Sequence, residues 1–173
     1  MEETKIMSPQ IKGLLIALII IIIGIVGYYT DLAFNNWYNW VVNGLLFLAI
    51  IFACVHFANQ KEGYVTFGSV FLHGFKVTAV VTIIMLAYTL LAFTVLFPDM
   101  KERIFEMQLS QMEERGMPDE QIETTTNMMK KNFMLFLVLG VIFGTMVFGC
   151  IASLIGAAVA KKKPVNPLNQ AGM

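Results

Sequence analysis

Residues 98–132 of this 173-residue chain, PDMKERIFEMQLSQMEERGMPDEQIETTTNMMKKN, hold eight of its twelve acidic side chains and five of its twelve basic ones. Thirteen ionisable groups in hydrocarbon, at roughly 2.5–3.5 kcal/mol each, would cost about 40 kcal/mol. This stretch must therefore lie in water. What flanks it is apolar, in runs long enough to cross a bilayer. The whole chain is 57% hydrophobic and 14% charged, against about 25% charged for a soluble domain. The expected fold is an all-α membrane protein: four transmembrane helices with a polar helical hairpin between the third and fourth.

Four spans are expected, at about 13–29, 41–58, 75–97 and 133–160, with the hairpin at 98–132 and a disordered tail at 164–173. Ser8 followed by Pro9 suits a helix start. The first apolar run lacks a small-x-small cleavage pattern and reads as an uncleaved anchor. On it Gly13, Ala17, Gly24 and Gly27 share a stripe about 80° wide, which admits a close helix neighbour. Tyr28, Tyr29, Trp37, Tyr38 and Trp40 surround the first turn and read as an interfacial belt. Asn43, on the second span, is expected to hydrogen-bond another helix. Thr66 caps a helix starting at Phe67, and residues 67–75 read as a short interfacial helix leading into the third span. Thr78, Thr82 and Thr89 fall within about 40° of one another on that span. They either line a solute path with Asn43 or bond back to their own helix.

In the hairpin, Ile104, Phe105, Leu109 and Met112 form an apolar stripe on the first arm, and Ile122 and Met129 continue it on the second. Gly116 suits a C-terminal cap, and Pro118 suits the first turn of the second arm. The stripe needs a partner: the other arm, a second copy or another protein. On the fourth span Thr145, Gly149, Ala152, Ser153, Gly156 and Ala160 share one face, and Gly140 and Gly144 form a G-x-x-x-G roughly opposite. That second face serves either internal packing or a homodimer.

Lysine excess in short segments marks the cytoplasmic side. Lys5, Lys12, Lys61, Lys76 and Lys161 to Lys163 collect at one end, seven basic residues against five at the other. Both termini are thus expected in the cytoplasm and the hairpin outside it.

Three stretches resemble a known family. FGSVFLHGF at Phe67 to Phe75 resembles the segment before the third span of the bacterial family called domain of unknown function 4199. QMEERGMPDEQIE at Gln111 to Glu123 is similar to its acidic hairpin tip, and IASLIGAAVAKKK at Ile151 to Lys163 to its last span and lysine stop. The resemblance runs from about Met7 to Lys163. It departs at Pro118, where the family pattern has a serine cap. It implies a small inner-membrane protein of Bacteroidota-type bacteria and carries no known activity.

No phosphate loop, G-x-S-x-G, H-E-x-x-H or C-x-x-C occurs. Cys54 and Cys150 read as small buried hydrophobes. The spacing of His56 and His73 does not require a metal. No cofactor, metal or nucleic-acid partner is expected, and no catalysis. Two functions remain. One is an accessory or interaction protein, embedded in the lipid bilayer and presenting the hairpin to a partner or a second copy. The other is an oligomeric small-solute transporter or channel subunit. No span carries a central charged residue, which ion-coupled carriers usually keep.

Overall fold

A computed structural model describes residues 7–163. The expected tail at 164–173 lies outside the described residues. The described chain is helical, with six α-helices in the order α1 (Pro9–Tyr29), α2 (Asn36–Gln60), α3 (Phe67–Leu91), α4 (Met100–Glu114), α5 (Asp119–Lys131) and α6 (Phe133–Val159). A short 3-10 turn, Leu32–Phe34, joins α1 to α2, and a π-helical turn, Ala92–Leu96, extends α3. Four helices are long and apolar enough to cross a membrane: α1, α2, α3 with its π turn, and α6. Even the shortest, α1 with 21 residues, spans about 31 Å at 1.5 Å per residue.

The surface supports the same reading. Ile22, Phe52, Ile83 and Phe143 are each 60–69% exposed. The buried layer holds smaller residues such as Ala17, Ala53, Val77 and Ala152, together with Thr78 and Ser153. A chain with its large apolar groups outside and its small ones between helices is built for lipid, where close approach rather than expulsion of water drives packing.

α3 sits at the centre of the bundle, touching α1, α2 and α6, and its broadest interface is with α6. Glycines set these approaches. A methyl added at Gly149 would collide with Thr78, and one added at Gly74 would lie 2.7 Å from Ser153 Oγ. The expected face of α6 is the one used, with Gly149, Ala152, Ser153 and Gly156 buried. Gly13 and Ala17 pack α1 against the bundle, and a methyl at Gly13 would lie 2.7 Å from Val80 Cβ.

The caps explain the helix limits. Ser8 Oγ accepts from Ile11 N, with Pro9 in the first turn. Thr66 and Ser69 exchange bonds in a capping box. This box starts one uninterrupted helix, so residues 67–75 are not a separate interfacial helix: Phe67 to Leu91 run on without a break. Apolar residues following a strong cap give the backbone no reason to stop at Phe75. α2 likewise begins at Asn36, five residues before its apolar core.

α4 closes on Gly116, whose φ of 67° lies in the left-handed region. Gly116 N donates to Glu113 O at 2.9 Å and Met117 N to Met112 O at 3.2 Å, the bond pair of a Schellman cap. Pro118 then serves as the N-cap of α5 rather than its first helical residue, without a side-chain cap bond. Asp119 and Glu120 sit at the positive end of α5 and Lys130 and Lys131 at its negative end.

Candidate functional site

Two polar clusters stand at opposite ends of the bundle. The first joins α4 to the α1–α2 turn. Tyr28 Oη lies 2.8 Å from both carboxylate oxygens of Asp99 and donates its proton to that carboxylate. Arg103 Nη1 donates to Asp31 Oδ1 at 2.8 Å, while its guanidinium covers the Phe34 ring at 4.7 Å. Asp31 has a φ of 57°, in the left-handed region that aspartate tolerates better than most residues.

The π turn makes this joint possible. Phe97 N donates to Ala92 O at 2.7 Å, one residue further back than an α-helix would allow. The widened turn brings the buried Phe97 ring to 4.0 Å from Tyr28. Pro98 and Asp99 follow directly, so the carboxylate meets the tyrosine hydroxyl. The aromatic belt divides here. Tyr29, Trp37 and Trp40 stay exposed, whereas Tyr38 turns inward, lies against Gly27 and donates to Ile23 O at 2.6 Å.

The hairpin stripe is largely used within the chain. Ile122 is buried, and Phe105 packs on Phe133 at 5.3 Å between ring centroids. Ile104, Met112 and Met129 are half-buried. The apolar groups left open on the hairpin are Leu109, 37% exposed, and Met128, 54% exposed.

The second cluster lies at the other end. Lys12 is buried, 5% exposed, and its ammonium donates to Ala53 O at 3.3 Å. His73 stacks on Phe57 at 4.1 Å, and its buried Nε2 has no hydrogen-bond partner among the described residues. Cys54 is fully buried beside Gly74 and Gly156. No group of three or more metal-ligating side chains converges among the described residues.

A family model described as "Protein of unknown function (DUF4199)" matches residues 12–162. The chain belongs to the DUF4199 family. Neither a curated protein nor a solved structure matches it. The stretches that resembled this family each meet a structural demand. Phe67 to Phe75 carries the capping box edge and Gly74, the contact point of α3 with Cys54 and Ser153. Gln111 to Glu123 contains the Schellman turn, and Ile151 to Lys163 supplies the α6 face that packs on α2 and α3.

Two of the three threonines of the row bond back to their own helix. Thr78 and Thr82 are buried and donate their hydroxyls to Gly74 O and Thr78 O of their own helix, at 3.0 and 2.9 Å. Thr89 is half-buried. Asn43 is exposed and donates to Asn39 O, one turn earlier on α2, instead of reaching another helix. Asn43 borders a groove of about 500 Å³ lined also by Met85, Gly140, Gly144 and Thr145. A methyl added at Gly24, Gly140 or Gly144 meets no described neighbour within 4 Å. Gly24 of α1 is thus open, and so are Gly140 and Gly144, because α6 packs on α2 and α3 with its other small-residue face.

The sequence reading overlooked the joint residues Tyr28, Asp31, Asp99 and Arg103, and the burial of Lys12. The available signal was thin: two aspartates in turns, whose partners Tyr28 and Arg103 lie 71 and 72 positions away along the chain.

Proposed function

We propose that this chain is an accessory or interaction protein of a bacterial inner membrane, with both termini cytoplasmic and the α4–α5 hairpin presented on the exoplasmic side. The observation that carries the reading is the joint. A hairpin bearing thirteen ionisable groups is tied to the bundle by Tyr28–Asp99, Arg103–Asp31 and the Phe97 ring. A loop that served only to connect two spans needs no such attachment, whereas a presented surface does, because fixing its direction lowers the entropy lost on binding. The reading assigns the chain no catalysis. The lysine distribution supports the orientation.

The test uses a photo-crosslinking residue at Leu109 and at Met128, the open apolar positions of the hairpin. The expected product is one adduct of defined mass in intact cells, reduced when Asp31→Asn and Arg103→Gln remove one of the hairpin's ties. An adduct unaffected by those substitutions, or none at either position in a folded protein, refutes the reading. A cysteine placed at Glu113 should react with an impermeant maleimide from outside the cell; protection there overturns the orientation.

The oligomeric transporter reading retains one observation, the groove of Asn43, Gly140 and Gly144. It requires a solute flux in proteoliposomes that Asn43→Leu abolishes.

A further inference from the structure

We infer that the lysine end of the bundle is a docking face for the phosphate-bearing headgroups of anionic lipids. This rests on the membrane reading above. Lys61 and Lys161 to Lys163 come together there from two separate segments, the buried Lys12 shares the Phe57 ring with Lys61, and Lys76 lies further along α3. The bond from Lys163 N to Gly63 O, 2.8 Å long, lays residues 161–163 along the α2–α3 turn and so brings the last three lysines to Lys61. Gly63 allows it: its φ is 83°, and an added methyl would lie 3.3 Å from Lys161 O.

Among the described residues no carboxylate pairs with these charges. Among the described residues the one ion pair is Arg103–Asp31, at the opposite end. Glu62 is the one described carboxylate at the lysine end, and it forms no ion pair. The ammonium groups rest on aromatic faces instead: Lys162 over Phe67 at 5.5 Å, Lys163 over Tyr64 at 5.1 Å, and Lys61 and Lys12 over Phe57 at 5.8 and 5.9 Å. A ring face attracts a cation but leaves its full charge available to an anion. The face is thus strongly positive and already ordered.

The surroundings select a lipid rather than a soluble phosphate. Tyr64 and Phe67 are 55% and 45% exposed, and Ile11 and Leu72, near the starts of α1 and α3, are 51% and 49% exposed. A headgroup phosphate at the lysines would lay its acyl chains against these side chains. A free phosphate would leave them uncovered.

Each lysine near an anionic surface is worth about five-fold in binding. The test is native mass spectrometry of the full chain in neutral detergent with added phosphatidylglycerol or phosphatidylcholine. The wild type should retain phosphatidylglycerol at least ten-fold more tightly. Lys161→Gln/Lys162→Gln/Lys163→Gln should weaken that retention on the order of 100-fold. Lys130→Gln/Lys131→Gln, at the other end, should change it less than two-fold. Lys162→Gln alone, with an unchanged thermal midpoint, guards against misfolding of the triple variant and should still lose about five-fold. Equal retention of the two lipids, or equal loss in the Lys130/Lys131 variant, overturns the inference. Full displacement by millimolar inorganic phosphate also overturns it, since the face would then belong to a soluble anion. Alkaline extraction separates the two levels. A chain released from membranes sinks the membrane reading, while a chain that stays but does not discriminate sinks this inference alone.

Discussion

Substituting Gly149 with alanine should be among the most damaging one-carbon changes in the bundle. The added Cβ would lie 2.5 Å from Thr78 Oγ1 and 2.9 Å from Thr78 Cβ, and would overlap Thr78 Cγ2. Thr78 cannot turn aside freely. It is fully buried, and its hydroxyl is committed to Gly74 O. Restoring an ordinary separation of about 3.5 Å requires α3 and α6 to part by about 1 Å, a gap that forfeits up to half of each dispersion contact across it. That interface is the most extensive in the fold. The expected loss is about 2 kcal/mol, within the usual 1–3 kcal/mol for overpacking. Thr78→Ala alone should cost about 1 kcal/mol. Combined with Gly149→Ala it should recover part of the loss, because Oγ1 and Cγ2 are gone although Cβ remains, giving a coupling of about 1 kcal/mol or more. Equilibrium unfolding in mixed micelles measures all three variants. Gly144→Ala, which meets nothing within 4 Å, is the control and should stay within about 0.5 kcal/mol. An unperturbed Gly149→Ala, an additive double variant, or an equal loss at Gly144 would refute the packing account.

Gly116→Ala should destabilise the hairpin by about 1 kcal/mol, since its positive φ is costly for a residue with a Cβ although no atom obstructs one; faster amide exchange in α4 and α5, with α1 to α3 unchanged, would register it. His73→Phe should raise stability by about 1 kcal/mol, because it keeps the stack on Phe57 and removes a buried nitrogen that lacks a partner; a lower unfolding midpoint would mean that Nε2 is satisfied in solution. Asp31→Asn with Arg103→Gln should change global stability by less than about 1 kcal/mol, as exposed ion pairs do, yet should raise exchange around the α1–α2 turn, with equal protection in both proteins as the contrary result.

The sequence made the four long helices legible because each must satisfy its own backbone in lipid. Caps were legible too: Ser8, Thr66 and Gly116 act through a side chain or a φ value that belongs to one residue. Limits set by tertiary contact were not. α2 begins at Asn36, five residues before its apolar core, and α3 runs on without a break past Phe75. Lys12 read as one of the lysines marking the cytoplasmic end, but Gly13 brings α1 so near α3 that its neighbour is enclosed. Asn43 read as reaching across helices, yet its own helix offers the Asn39 carbonyl at 2.8 Å. The hairpin stripe was visible as a pattern, while its division between the other arm and Phe133 depended on how α4 is seated.

That seating depends on the π turn. A wide turn of this kind is a helix carrying one surplus residue. Deleting a single position between Ala92 and Leu96 would let the backbone return to ordinary α geometry, and everything beyond it would swing by about 100°. Phe97 would leave Tyr28, Asp99 would point away from the hydroxyl it binds, and α4 would face a different side of the molecule. The direction in which the charged arm projects is therefore encoded by chain length at one point, not by any particular side chain there.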